Sequence, residues 1–504
     1  MASTRAFLAL AERWSPWSPA LFVVPYLIAF GLLARSQAWI SDEVLVGHVI
    51  GLPTFGDILA VLRDGDVDKI PPLFYAVTRV SVAILGNGLV AYRLPEILAG
   101  LVVALCVYRF VSRRAPAVYG AAAMLFPFIT LARRFTYMVR PDILALACVA
   151  VAVVAWQVAS EGRRRPLSVL VLGASLAAAV SMHYYAVVSV VPLAIGELVR
   201  SHDRRRIDVP VWIALAAPAV PLLAFLPLIR GARAHFETFY ARPSWNHTWE
   251  FYPWVVGAGI GSTSLSLLIV VASGLGLAWC VYRSPVALPR HEAVAAWSLA
   301  LLPVFGAALA ATVVGAYDPR HGLPAVIGIA AVLAWTAARL SRRSVAIGVL
   351  LLVVVGAAVT VLWYGDLSAA RLAKRARARA VTMIQATAAD ERPIVVSQAF
   401  IFLHLSHDAP RDLARRLVYL IDWKGALQHH GNDTHERILT GLARRVPLDL
   451  REYAGFVASR QEFWLYASRR RDAWIGPVLA REPALRLAER AREDIGVLYL
   501  VVPR

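Results

Sequence analysis

Apolar runs of membrane-spanning length recur along the chain, separated by short polar breaks. The first runs roughly from Pro19 to Leu33. Later ones lie near 93–111, 116–131, 143–159, 167–182, 185–199, 209–229, 256–281, 293–316, 322–337 and 345–364. A bilayer crossing needs about 20 predominantly apolar residues, so the pattern predicts about eleven transmembrane helices. Residues 34–91 are too broken by charge, Pro and Gly to be a simple crossing. Two stretches inside that loop, opening after Pro53 and after Pro71, have the pattern of amphipathic helices lying on the membrane surface. From about Asp366 the pattern becomes that of a soluble domain, with short β-rich runs at 393–397, 417–421, 462–466 and 496–502. Helical patterns at 409–416 and 474–481 separate some of these runs, which predicts a small, partly parallel α/β domain. The expected organisation is a polytopic α-helical membrane protein: a transmembrane module over 1–365 and a C-terminal α/β domain over 366–504.

Composition agrees. Of 504 residues, 59% are hydrophobic and only 17% charged, well below the quarter typical of soluble domains. A formal net charge of +19 raises the question of nucleic acid, but the basic residues come as short clusters between apolar runs. That is the arrangement membrane topology produces, so no nucleic-acid partner is expected. With a cytoplasmic N-terminus, the inner loops hold Arg109/Arg113/Arg114, Arg163–Arg165, Arg200/Arg204–Arg206, Arg283/Arg290 and Arg339/Arg342/Arg343. The positive-inside rule favours that orientation and puts the tail domain on the outer, periplasmic side of a bacterial inner membrane. The basic linker Arg371–Arg379 then lies outside, which a long translocated tail tolerates. Cys106, Cys148 and Cys280 all fall within apolar runs, without metal spacing, and are expected to be small core residues. The first apolar run lacks a clear cleavage site and is expected to remain as the first span.

Charges at membrane depth are costly, which makes outward ionisable residues the candidates for chemistry. Asp42 and Glu43 follow the first span. They suit a helix N-cap, and equally a carboxylate base with a supporting neighbour. Asp142, after Arg140-Pro141, is expected in the first turn of a helix at the same outer level. Two such carboxylates, Asp42 and Asp142, could share a divalent cation such as Mg or Mn, although no cluster has the spacing of a dedicated cage. Arg133, Arg134 and Arg140 lie outside against the charge bias, and the guanidinium fork matches phosphate oxygens. The outer turns Ser181–Tyr185 and Tyr317–His321 interrupt apolar stretches and offer His183, Tyr184, Arg320 and His321. The loop 230–255 concentrates aromatics, suited to an interfacial belt or to a wall that binds lipid or acceptor.

In order and spacing these elements resemble the C-type membrane glycosyltransferases. They are most similar to the bacterial relatives of the protein O-mannosyltransferases and the lipid A aminoarabinose transferase (glycosyltransferase family 39). The matching features are Ser41-Asp42-Glu43, the Pro71-Pro72-Leu-Phe-Tyr segment, Tyr92-Arg93-Leu-Pro, Arg140-Pro-Asp142 and Arg320-His321-Gly-Leu-Pro. In the tail they are the Val-Val-Ser strand, the Phe-Leu-His-Leu-Ser-His-Asp-Ala-Pro helix and the Val-Tyr-Leu-Ile-Asp strand. The resemblance implies a transferase that moves a sugar from a polyprenyl-phosphate-linked donor to a hydroxyl of a glycan, lipid or protein acceptor. It implies Asp42 as general base, Glu43 in support and Asp142 as a second acid. Arg140, Arg320, Arg134, Lys69 and Arg93 would hold the donor phosphate, and His183, Tyr184 and His321 would contact substrate. Two departures stand out. Ile70 occupies the position before the Pro-Pro pair where relatives often have His, and the late turn reads Arg320-His321 where they often have Arg-Tyr. A transporter or flippase of a lipid-linked sugar is the competing class, but no internal repeat of the kind common in transporters is evident.

Overall fold

A computed structural model of the chain describes residues 12–233, 241, 244–253, 288–469 and 474–504. The expected span at 256–281, Cys280 and residues 234–240, 242–243 and 254–255 of the aromatic loop lie outside the described residues. Six described helices are long and apolar enough to cross a membrane: Glu12–Ser36, Leu89–Ser112, Pro141–Ser160, Arg165–Met182, Tyr184–Arg204 and Val345–Thr387. A seventh crossing forms if the pair Arg290–Ala300 and Leu302–Val314, bent by 56°, is one span. The expected spans at 116–131, 209–229 and 322–337 take the form of shorter apolar helices, Ala117–Ile129, Val209–Ala224 and Ala325–Leu340.

The chain divides into two compact units. The first comprises the described residues of Met1–Ala34, Ile70–Leu226 and Ala241–Asp366. Its helices pack closely through small residues. A Cβ on Gly328, in the Ala325–Leu340 helix, would meet the backbone N of Ala300 at 2.5 Å and Leu299 Cβ at 2.7 Å. Tyr26 of the first span donates its hydroxyl to the Ile97 carbonyl at 2.6 Å, and Trp363 Nε1 donates to the Ala29 carbonyl at 3.0 Å.

Several arginines of the basic clusters do more than set topology. Arg114 forks onto buried Glu292 and also reaches Glu161 at 3.1 Å, and Gln157 donates to Glu292 at 2.9 Å. Arg200 joins Glu197 at 2.7 Å and Asp208 at 3.0 Å, with Trp156 Nε1 on Glu197 at 3.0 Å. Each buried carboxylate is thus matched by cations and donors, as burial of charge requires.

The second unit comprises Arg35–Lys69, Leu367–Arg504 and the described part of Pro227–Tyr240. It is discontinuous in sequence, whereas the sequence pattern suggested a domain made of 366–504 alone. The reason is visible in the contacts. The Ser41–Ile50 helix packs on the Ala399–Asp408 helix. The Phe55–Asp64 helix, expected on the membrane surface, is held by tail arginines: Arg445 reaches Asp64 at 3.7 Å and Asp57 at 3.9 Å. Arg444 pairs with Asp66 at 3.5 Å.

The tail sheet has six strands: β1 (Ile394–Val396), β2 (Leu417–Ile421), β3 (Leu450–Glu452), β4 (Phe463–Ser468), β5 (Leu485–Glu493) and β6 (Gly496–Pro503). Their order is β3-β2-β1-β4-β6-β5. β1 pairs in parallel with β2 and β4, β3 is parallel to β2, and β6 runs antiparallel to β4 and β5. The four apolar runs marked in the sequence are β1, β2, β4 and β6. The two unmarked strands, β3 and β5, lie at the sheet edges, where one side faces solvent and charged residues replace the apolar run.

Candidate functional site

In the first unit, three short polar breaks supply a cluster. Arg140 is extended, as a residue before proline must be, and Pro141 opens the next helix with Asp142 in its first turn. The backbone is extended again at His183, where the Arg165–Met182 helix stops, and His183 Nδ1 accepts the Tyr185 N–H at 3.3 Å. The Pro319–Gly322 turn is capped reciprocally. Asp318 Oδ1 accepts the Arg320 N–H at 3.0 Å, and His321 Nδ1 accepts the Asp318 N–H at 3.2 Å.

These breaks converge. Asp142 is buried, with Arg140 Nε 3.5 Å from its Oδ2, and it interacts electrostatically with Arg320 and His183 as well. His183 and His321 face each other with ring centroids 5.0 Å apart, and Tyr185 stacks on His321 at 4.1 Å. Arg320 Nε lies 3.7 Å from Asp318 Oδ1. Two guanidinium groups, Arg140 and Arg320, thus gather with two carboxylates, Asp142 and Asp318, beside two imidazoles and a tyrosine. Guanidinium forks match the oxygens of an anionic group, and that is the chemistry these two arginines offer.

The second unit holds the other candidates. Asp42 and Glu43 lie in the first turn of Ser41–Ile50. Glu43 is fully buried and its Oε2 accepts the Ile40 N–H at 2.8 Å, which gives it a capping role. Asp42 is half-buried. Further along that helix, His48 meets His407 with ring centroids 5.8 Å apart, and His407 Nδ1 lies 2.8 Å from Asp408 Oδ1. Burial, with His407 adding to it, pushes His48 down to about 4, while the Asp408 hydrogen bond raises His407. Arg377 donates to the Trp39 carbonyl and sits against His404 at 3.4 Å. Lys69 is pushed down to about 8 by burial, opposed by Asp68 and assisted by Arg437, with Asp433 and Asp66 also near.

Residues 69–230 match the family model described as dolichyl-phosphate-mannose-protein mannosyltransferase. Over its whole length the fold is similar to that of ArnT from Cupriavidus metallidurans in the apo state. That match has TM-score 0.60 and 15% identity, covering 95% of this chain and 97% of that one. The chain shares the fold of ArnT. A second ArnT structure, bound to undecaprenyl phosphate, matches with TM-score 0.55 and 14% identity, covering 95% and 97% of the two chains. No curated protein matches the sequence.

Within this fold, the candidates at Arg140, Asp142, His183, Arg320 and His321 come together in the first unit. Others have different surroundings. Arg93 is fully buried and donates from Nη1 to the Ala34 carbonyl at 2.6 Å. Arg134 is exposed. Tyr184 packs edge-on to Phe225, and the tyrosine that stacks in the cluster is Tyr185. Arg133, expected to help grip phosphate, is instead consumed. Its Nε donates to Asp366 Oδ2 at 2.7 Å and its Nη2 to Oδ1 at 3.3 Å, and the Tyr137 hydroxyl donates to the same carboxylate at 3.0 Å. Sequence reasoning missed Tyr185 and Asp318, although both stand inside the polar turns that drew attention.

No group of three or more His, Cys, Asp or Glu that could hold a metal is present among the described residues. Asp142, one of the two carboxylates expected to share a divalent cation, has Arg140 Nε 3.5 Å from its Oδ2.

Proposed function

We propose that the chain is a glycosyltransferase that moves a sugar from a polyprenyl-phosphate-linked donor to an acceptor hydroxyl on the outer face of the membrane. The observation that carries this reading is the gathering of Arg140, Asp142 and Arg320 from separate helix breaks into one cluster that sets two guanidinium groups close together. The shared fold with ArnT, solved with undecaprenyl phosphate, supports a lipid phosphate as the group held there.

In the proposed reaction Asp42 accepts the proton of the acceptor hydroxyl as its oxygen attacks the anomeric carbon. The new C–O bond forms as the bond to phosphate breaks, and the electron pair leaves with the polyprenyl phosphate. A single displacement inverts the anomeric centre and needs no covalent intermediate. Arg140 and Arg320 stabilise the charge that grows on the leaving phosphate, and Asp142 holds both guanidinium groups in place. Glu43 supports Asp42 by fixing the start of its helix through Ile40.

The test is turnover and donor binding by Asp42→Asn. A base contributes roughly 100-fold or more, so transfer should fall by at least that factor while binding of the lipid-linked sugar persists. Wild-type transfer by this variant would overturn the assignment of the base. Mass spectrometry of the lipid that copurifies with the protein checks the donor class, and a polyprenyl phosphate is the expected species.

A further inference from the structure

The helix Val345–Thr387 continues well past the length of a membrane crossing. Val345 to Tyr364 already spans roughly 30 Å, the thickness of the hydrocarbon core. Its apolar stretch is the least buried of the candidate spans, and Leu350, Val353, Val361 and Tyr364 are exposed, the last two at 70% and 66%. These positions form the stripe that meets lipid.

Beyond it the sequence turns basic, with Arg371, Lys374, Arg375, Arg377 and Arg379, and no Asp or Glu occurs between Leu367 and Thr387. The five cations are not equivalent. Arg377 is bound to the Trp39 carbonyl and His404, and Arg379 pairs with Asp494 and Glu493. Arg371, Lys374 and Arg375 are exposed and make no hydrogen bond or ion pair among the described residues. They occupy positions i, i+3 and i+4, one face of the helix. That face continues the lipid-facing stripe, because Arg371 follows Tyr364 by about two turns and Val353 by about five. The rise of roughly 10 Å from Tyr364 to Arg371 carries these residues just past the hydrocarbon edge. Helical side chains lean toward the helix N-terminus, here back toward the membrane, and long basic side chains reach several ångströms further.

We propose that Arg371, Lys374 and Arg375 form a docking strip for the headgroups of anionic phospholipids. An ordinary solvated charge run would carry interspersed acids and no fixed relation to a lipid-facing stripe. This one is wholly cationic and collinear with the stripe. Attraction to an anionic surface is a general property of juxtamembrane basic residues, and three unpaired cations on one face supply it.

The full-length protein in neutral maltoside micelles is titrated with short-chain phosphatidylglycerol, and in parallel with short-chain phosphatidylcholine. The wild type is expected to bind the anionic lipid, in a salt-sensitive way, and not the zwitterionic one. The triple variant R371Q/K374Q/R375Q should bind it on the order of 100-fold more weakly, about fivefold for each charge lost. The charge-keeping variant R371K/R375K should bind as the wild type does. Undiminished binding by the triple variant, or equal binding of both lipids by the wild type, overturns the proposal. So does unchanged phosphatidylglycerol binding with a raised KM for the lipid-linked donor, which would assign the strip to the donor instead. The binding arms need no turnover, so they stand or fall separately from the transferase assignment.

Discussion

At the scale of single residues, the informative signal is the energetic cost of a charge near the membrane. Arg140, Asp142, His183, Arg320 and His321 were legible as candidates because each breaks an apolar context, and the fold gathers them. What sequence could not supply was the partner of each charge. Arg133 looked as suitable for phosphate as Arg140, yet its carboxylate partner, Asp366, lies 233 residues away. Removing one side of such a buried pair leaves the other uncompensated, at a cost of about 3–5 kcal/mol. Arg133→Met should therefore lower the thermal midpoint sharply, and Arg133→Met combined with Asp366→Leu should recover part of the loss. Arg134→Met, at an exposed position, should change stability by no more than roughly 0.5 kcal/mol. Thermal unfolding in detergent separates the three.

At the scale of elements, helix breaks and strand runs were well marked, while the pairing of elements was not. The structure has helices at 41–50 and 399–408, and nothing in the sequence of either states that they pack together. Their contact buries His48 against His407, with Trp39, His404, Asp408 and Arg377 around the pair. A half-buried His48 at about 4, against an ordinary value near 6.5, binds fewer protons when folded than when unfolded. Its contribution to stability is full above pH 6.5 and declines as pH falls through 6.5 toward 4. His407, raised by Asp408, works the other way: its contribution is full below its unfolded value and declines as pH rises through its folded one. Hydrogen exchange of the 41–50 amides should accelerate between pH 6 and pH 4.5, beyond the intrinsic pH trend, and His48→Phe should flatten that response. A slope unchanged by His48→Phe would show that another group governs the contact. Packing of the transmembrane helices gives a second prediction at this scale. Gly328→Ala forces a methyl into the backbone of the Arg290–Ala300 helix and should cost roughly 1–3 kcal/mol, read as a lowered thermal midpoint.

At the scale of the molecule, the division into units changes how the tail is understood. Hydropathy separates a membrane module from a soluble tail because composition changes at Asp366, and a discontinuous unit leaves no such trace. The segment Arg35–Lys69 is tied to the tail through side chains that only the fold brings together: Arg445 with Asp57 and Asp64, Arg444 with Asp66, and the Ala399–Asp408 helix under Ser41–Ile50. The proposed base Asp42 thus rides on a segment whose order depends on residues some 400 positions later. Each ion pair is partly exposed and individually modest, but together they clamp one loop from two sides. Reversing the clamp charges, Arg444→Glu with Arg445→Glu, should loosen 55–69 without disturbing the sheet core, since both arginines lie outside it. Limited trypsin digestion should then cut after Arg63 and Lys69 at least several-fold faster than in the wild type. Transfer activity should fall with the loss of order around Asp42, while retention of the copurifying lipid should not. Cleavage as slow as in the wild type would mean that Arg35–Lys69 holds its place without the tail, and that the tail serves some other end.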